Sequence, residues 1–201
     1  MRCYIIRHAH KEFGGHYNPR LRHQDEPISQ KGREQAQKLV SFFDQRALSA
    51  IYVSGYLRTM QTAEPLAQAS SLAPIVDERL NEFDNGLIEG MTDEQIQQAY
   101  PEVWYAFQEK SADFRFPEGE TGAEVQARVS DFLQEKRFQH PDEAIVIVSH
   151  DGLIRLLMCT ILRLPVFTRW NFYVDFCGIT EFTTQPNSDA WRLIRFNQSC
   201  Q

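Results

Sequence analysis

Residues Ala144-Ile145-Val146-Ile147-Val148-Ser149 form an unbroken apolar, β-branched run that stops at His150-Asp151-Gly152. Such a run is short for a helix and too uniformly apolar for a strand with one wet face. It predicts a strand buried on both sides, as in a parallel sheet, and Leu153 to Leu164 reads as the helix that follows it. A second apolar run, Cys3 to Ile6, opens the chain and stops at Arg7-His8-Ala9-His10. Ala50 to Ser54 reads as a third strand and Pro74 to Asp77 as a weaker fourth. Between them, Ser29 caps a helix with Ala36, Leu39, Val40, Phe43 and Ala47 on one face. Arg58 to Ala69 is also helical, with Pro65 expected to kink it or to lie near its first turn. Strands alternating with helices predict an α/β layered fold with a mainly parallel sheet.

The remainder fits that frame. Residues 11 to 28 are polar and rich in His, Arg, Asn, Gly and Pro, a long loop of the kind that carries function. Leu80 to Gly90 is turn-prone. Asp93 to Gln108 reads as two short helices broken at Pro101, and the loop Phe116 to Thr121 leads into a helix striped with Val125, Val129, Phe132 and Leu133. Phe172 to Thr184 and Trp191 to Phe196 read as a closing antiparallel pair. The aromatic residues Trp170, Phe172, Tyr173 and Phe176 are assigned to core and hairpin packing. At 201 residues the chain is expected to be one domain spanning residues 1–201.

Composition excludes several classes. A formal net charge of -6 argues against a nucleic-acid or anionic-membrane partner, so any anionic ligand must be held by a few local arginines. Cys3, Cys159, Cys177 and Cys200 form no CxxC pair, which suits a reducing compartment. Arg7 to Glu12 cut short the opening apolar stretch before it resembles a leader, and no run approaches a membrane span. The expected location is cytoplasmic.

Three features follow strand-like runs: Arg7-His8, Ser54 to Arg58, and Ser149-His150-Asp151-Gly152. In α/β sheets the carboxyl ends of strands gather at one edge, where ligands bind. Two guanidiniums and two imidazoles there suit a phosphoryl group, because arginine grips phosphate oxygens with a planar fork and keeps its charge. Backbone N–H groups opening helices after His8 and after His150 would add partial positive charge. Taken alone, Arg58 reads as a solvated surface residue and His150 as a hydrogen-bonded strand-end histidine; their order along the chain gives them weight.

With these residues in order, the sequence resembles the histidine phosphatase superfamily, the phosphoglycerate-mutase-like family, in its branch 1. The signature stands here as Arg7-His8-Ala9. Pro27 to Ala36 is similar to the family's approach to its first helix, and Val53 to Ala63 matches its second-arginine motif. Leu80-Asn81-Glu82 with Ile88-Glu89-Gly90 matches its acidic loop. Pro117 to Thr121, and Val148 to Gly152 with Arg155, match the last two motifs. The resemblance implies a three-layer sandwich with a mainly parallel central sheet and helices on both faces. It implies a metal-independent phosphomonoesterase, a histidine acid phosphatase-type hydrolase, working through a phosphohistidine on His8. Arg7, Arg58 and His150 would form the phosphate pocket. Glu82, rather than Asp84 or Glu89, would protonate the leaving oxygen and then activate water, and for that it should be partly desolvated.

Two positions depart from the family pattern. His10 stands where Glu or Gln is usual, and Gly14 where Asn is usual. Candidate additional substrate contacts are therefore His10, Asn18, Arg20, Arg22 and Asp151. Trp104, Tyr105 and Phe107 are expected to form a lid over the non-phosphate part of a substrate. The implied partner is a small phosphorylated metabolite or a phosphoprotein, with no cofactor and no metal. Alternatives within the family and outside it are a cofactor-dependent phosphoglycerate mutase-type phosphotransferase, a metal-dependent hydrolase built on His8 and His10 with His16 and His23 nearby, and a non-catalytic module that binds phosphorylated ligands.

Overall fold

The computed structural model describes residues 1–13, 25–184 and 190–200. Its strands are β1 (Arg2–Arg7), β2 (Ala50–Val53), β3 (Pro74–Val76), β4 (Ala144–Ser149), β5 (Ile179–Thr184) and β6 (Trp191–Gln198). They form one sheet in the order β3-β2-β4-β1-β5-β6. The first four in that order run parallel, with β4 between β1 and β2. β5 joins β1 antiparallel, and β6 closes the edge antiparallel to β5.

Side chains alternate between faces along each strand, and this splits the core in two. Cys3, Ile5, Ala50, Tyr52, Ile145 and Ile147 point to one face; Tyr4, Ile6, Ile51, Val53, Val146 and Val148 point to the other. The second face is covered by α1 (Gln30–Phe43) and α2 (Leu57–Ser70) through Ala36, Leu39, Phe43, Ala63 and Leu66. Two shorter helices, α3 (Asp93–Ala99) and α4 (Pro101–Glu109), precede the pair that covers the first face, α5 (Gly122–Gln139) and α6 (Asp151–Leu162). On α5 the stripe Val125, Val129, Phe132 and Leu133 is buried as its spacing requires, each such side chain contributing roughly 1.5–3 kcal/mol. Layers of helix, sheet and helix follow directly.

Local expectations fail where packing or turn geometry intervenes. α1 ends at Phe43, so Ala47 lies exposed on the way to β2 and Val40 is half-buried. Pro65 sits in the middle of α2 rather than near its first turn, and the helix runs on to Ser70. The buried residues on either side of it, Ala63, Leu66 and Ala67, hold the helix through the missing N–H. The stretch before β5 is not strand: Val166–Asn171 forms 3₁₀ turns, and Cys177, with φ of 56°, breaks the extended run. Among the described residues no helix is long and apolar enough to cross a membrane.

Candidate active site

Because β2, β4 and β1 are adjacent and parallel, their carboxyl ends leave the sheet side by side. Arg7 pairs with Ser149, and Val53 with Val148. The residues that follow, His8, Ser54 and His150, therefore emerge together, with the His8 and His150 rings 5.3 Å apart between centroids.

His8 is buried, and its backbone N–H donates to Ser149 O at 2.8 Å. Its Nδ1 lies 2.8 Å from Ala9 O. A carbonyl oxygen only accepts, so Nδ1 carries the proton and Nε2 keeps a free lone pair. Burial, followed by the positive charge of Arg58 and then of Arg7, holds this imidazole well below its usual pKa of 6.5. The Ala9 hydrogen bond pulls the other way and is outweighed. A neutral ring with a free Nε2 is a nucleophile.

His150 is fully buried within a directed chain of hydrogen bonds. Arg58 Nη2 donates to His150 Nδ1 at 3.0 Å, because guanidinium has no acceptor. The ring proton then sits on Nε2 and donates to Ser54 Oγ at 2.7 Å. Thr59 Oγ1 donates to Tyr56 O at 2.7 Å, which leaves Ser54 Oγ to donate to Thr59 Oγ1 at 2.9 Å. Arg58 also stacks 4.2 Å over the Tyr56 ring and lies 3.9 Å from Asp25. His150 and its neighbours thus fix the direction of the Arg58 guanidinium.

Arg7 donates to Val174 O and lies 4.0 Å over the Phe176 ring. Phe176 also contacts the rings of His8 and His10, at 5.5 and 5.2 Å. This corrects the assignment of Phe176 to hairpin packing: the turn before β5 carries it to His8 and His10. Phe172 does pack on β6 through Phe196, and Trp170 packs on Phe107, whereas Tyr173 is exposed.

Glu82 is half-buried. Its Oε1 accepts from Phe83 N and Leu153 N at 2.9 and 3.1 Å, and Oε2 accepts from Gly152 N at 3.4 Å. The carboxyl therefore sits on the N-terminus of α6. A Cβ on Gly152 would lie 2.8 Å from Glu82 Oε1, so glycine is what permits this approach. The neighbouring carboxylates serve local turns: Asp84 accepts from Gly86 N at 2.8 Å and Glu89 from Asn85 Nδ2 at 3.0 Å. Of the helix-opening N–H groups expected to add positive charge, those of Gly152 and Leu153 in α6 donate to Glu82, and α1 starts only at Gln30.

The secondary candidates divide. Asp151 pairs with Arg155 at 2.6 Å and lies 3.9 Å from Arg7, between two guanidiniums. His10 Nδ1 is 2.8 Å from Ser29 Oγ. Asn18, Arg20 and Arg22, with Gly14, His16 and His23, lie outside the described residues. The lid reading of α4 fails in part: Phe107 packs against the core and Trp170, and Trp104 is half-buried, while Tyr105 is exposed. Among the described residues no group of three His, Cys, Asp or Glu is placed to hold a metal. The parts that local reading misses, Phe176, Asp25 and Thr62, which accepts from Ala9 N, gain their meaning from contacts across elements.

The fold is shared with known proteins. Residues 3–199 match the histidine phosphatase superfamily (branch 1). The chain belongs to that superfamily. It is 33% identical to phosphoserine phosphatase 1 of Hydrogenobacter thermophilus over 199 residues, 98% of this chain and 92% of that protein. It is 27% identical to a "probable phosphoglycerate mutase" of Escherichia coli over 188 residues, 93% of this chain and 86% of the relative. The solved structure of a mycobacterial glucosyl-3-phosphoglycerate phosphatase superposes with a TM-score of 0.82 at 26% identity, covering 98% of this chain and 99% of the other.

Proposed function

We propose that this histidine phosphatase hydrolyses small phosphate monoesters by way of a phosphohistidine on His8. The observation that carries the reading is the state of His8: buried, neutral, protonated on Nδ1 by its bond to Ala9 O, and free at Nε2. Arg58, directed by His150, and Arg7 bind the phosphoryl oxygens and stabilise charge spread over them in flight. Nε2 attacks phosphorus in line; the P–N bond forms as the ester P–O bond breaks. Glu82 gives its proton to the departing alkoxide. Oε1 is anchored by two N–H groups, so Oε2, with one long contact, is the oxygen that carries this proton. In the second half, Glu82 takes a proton from water, whose oxygen attacks phosphorus. The P–N bond breaks, releasing phosphate and restoring His8.

The protein is a phosphoric monoester hydrolase, in keeping with the relatives whose names are phosphatases. Those names specify phosphoserine and glucosyl-3-phosphoglycerate, small esters that carry a carboxylate as well as the phosphate, and such metabolites are the substrates we would screen first. The test is turnover of p-nitrophenyl phosphate in EDTA beside a His8→Ala variant, with mass spectrometry of the rapidly quenched wild-type enzyme. Chelator-resistant turnover, its loss in the variant and phosphate on His8 are expected. Turnover abolished by EDTA, or retained without His8, would overturn the mechanism.

A further inference from the structure

The segment that carries Glu82 has little regular structure of its own. A 3₁₀ turn ends at Leu80 and another begins at Gly86, so the backbone between them depends on side chains from elsewhere for its hydrogen bonds. Asn81 Oδ1 accepts from Gly55 N at 2.8 Å, and Ser149 Oγ donates to Leu80 O at 2.7 Å. The main clasp comes from α5. Arg128 Nη1 donates to Arg79 O at 2.7 Å and Nη2 to Glu82 O at 3.2 Å. The same guanidinium holds Glu120 bidentately, Nε to Oε1 at 2.9 Å and Nη2 to Oε2 at 3.0 Å. Glu120 in turn accepts from Asp84 N at 3.0 Å and donates its own N–H to Asp84 O at 2.9 Å. Glycines let the two loops meet: a Cβ on Gly119 would lie 2.4 Å from Asp84 O, and one on Gly86 2.0 Å from Pro117 O.

We propose that Arg128, with Glu120, is a positioning residue that holds the backbone on both sides of Glu82 and so fixes its carboxyl over the leaving group. The inference rests on Glu82 being the proton donor. The hydrogen bonds described for Arg128 all go to this loop and to Glu120, and none to Arg7, His8, Arg58 or His150. Loosening the clasp moves the proton donor while leaving the phosphate pocket and the nucleophile in place.

That separation gives a leaving-group signature. An alkyl alkoxide needs a proton as it departs; nitrophenolate spreads its charge over the ring and does not. Glu82→Gln, Arg128→Ala, Arg128→Lys and Glu120→Gln would be assayed on glycerol 2-phosphate and p-nitrophenyl phosphate, with inorganic phosphate as a competitive inhibitor and a thermal melt for each. Glu82→Gln is expected to lose ~10²–10⁴-fold on the alkyl ester and far less on the aryl ester. Arg128→Ala and Glu120→Gln should show the same bias at roughly 10–10²-fold, with phosphate inhibition unchanged, and Arg128→Lys should recover part of the loss. Equal losses on both esters, weakened phosphate inhibition, or full alkyl-ester turnover in both the Arg128→Ala and Glu120→Gln variants would overturn the positioning role while leaving Glu82 as the acid. An absence of bias in Glu82→Gln itself would overturn the proton-donor reading and the positioning role with it. Arg128→Lys and Glu120→Gln keep the test open should Arg128→Ala fail to fold.

Discussion

Alanine at position 152 should separate stability from chemistry. Gly152 lies in the first turn of α6 at an ordinary helical φ, so its missing Cβ matters only for what stands opposite. An added Cβ would meet Glu82 Oε1 at 2.8 Å and Phe83 Cβ at 3.2 Å, whereas ordinary contact begins at 3.4 Å. The nearer obstacle is the end of a flexible side chain, so the carboxyl yields by about 0.6 Å and gives up good geometry to Leu153 N and Gly152 N. The lost hydrogen bonding costs about 1–2 kcal/mol at this half-buried site, and the helix gains up to ~1 kcal/mol from alanine in place of glycine. A near balance leaves the melting temperature within roughly 2–4 °C of wild type. Catalysis has no such compensation. A displacement of ~1 Å costs about 10²-fold, so a shift of half that size should cost roughly tenfold, or ~1.4 kcal/mol in the barrier. The assay is kcat/KM on glycerol 2-phosphate and p-nitrophenyl phosphate alongside a thermal melt. Undiminished alkyl-ester turnover in a folded Gly152→Ala protein would refute the placement of the proton donor on the α6 N-terminus.

Three further outcomes are expected. His8 is held below the usual imidazole pKa, so as pH falls through about 6.5 the unfolded chain takes up a proton that the native ring refuses. Its contribution to stability is present above that pH and is lost below it, at up to ~1.4 kcal/mol per pH unit until the native pKa is reached. Urea melts of wild type and His8→Asn between neutral and mildly acid pH should diverge in that sense, and parallel curves would contradict it. Phe176→Leu removes the ring beneath Arg7 and should weaken inhibition by inorganic phosphate roughly 2–5-fold, the equivalent of ~0.5–1 kcal/mol of cation–π contact. Thr121 and Glu124 form a capping box at the start of α5, so Thr121→Ala should lower unfolding stability by about 1 kcal/mol in a denaturant titration, with the leaving-group preference unchanged.

Much of the site was legible because its members sit where strands end. The apolar runs before Arg7-His8, Ser54 and His150 identify the strands, and a parallel sheet gathers their carboxyl ends whatever the intervening chain does. The motif order that resembles the superfamily then singled out Arg58 and Glu82, which on their own are ordinary surface residue types. The expected lid shows the limit of this approach. Phe107 and Tyr105 lie close together on α4, yet one packs on Trp170 and the core while the other meets solvent. Which face of a short helix is buried depends on a partner more than sixty residues away.

By itself, then, the sequence determined the layered α/β fold, the strand and helix order and the sheet edge that gathers the candidate site, because hydrophobic periodicity and strand termini are local properties of the chain. The tertiary structure decided everything that depends on direction. Ala9 O and Arg58 select opposite tautomers for His8 and His150; the α6 N-terminus receives Glu82; Phe176 is brought beneath Arg7; and Arg128 reaches back 46 residues to the loop of Glu82. Hydrogen bonds and ring contacts act over a few ångströms between residues far apart in sequence, so their geometry exists only once the layers have packed.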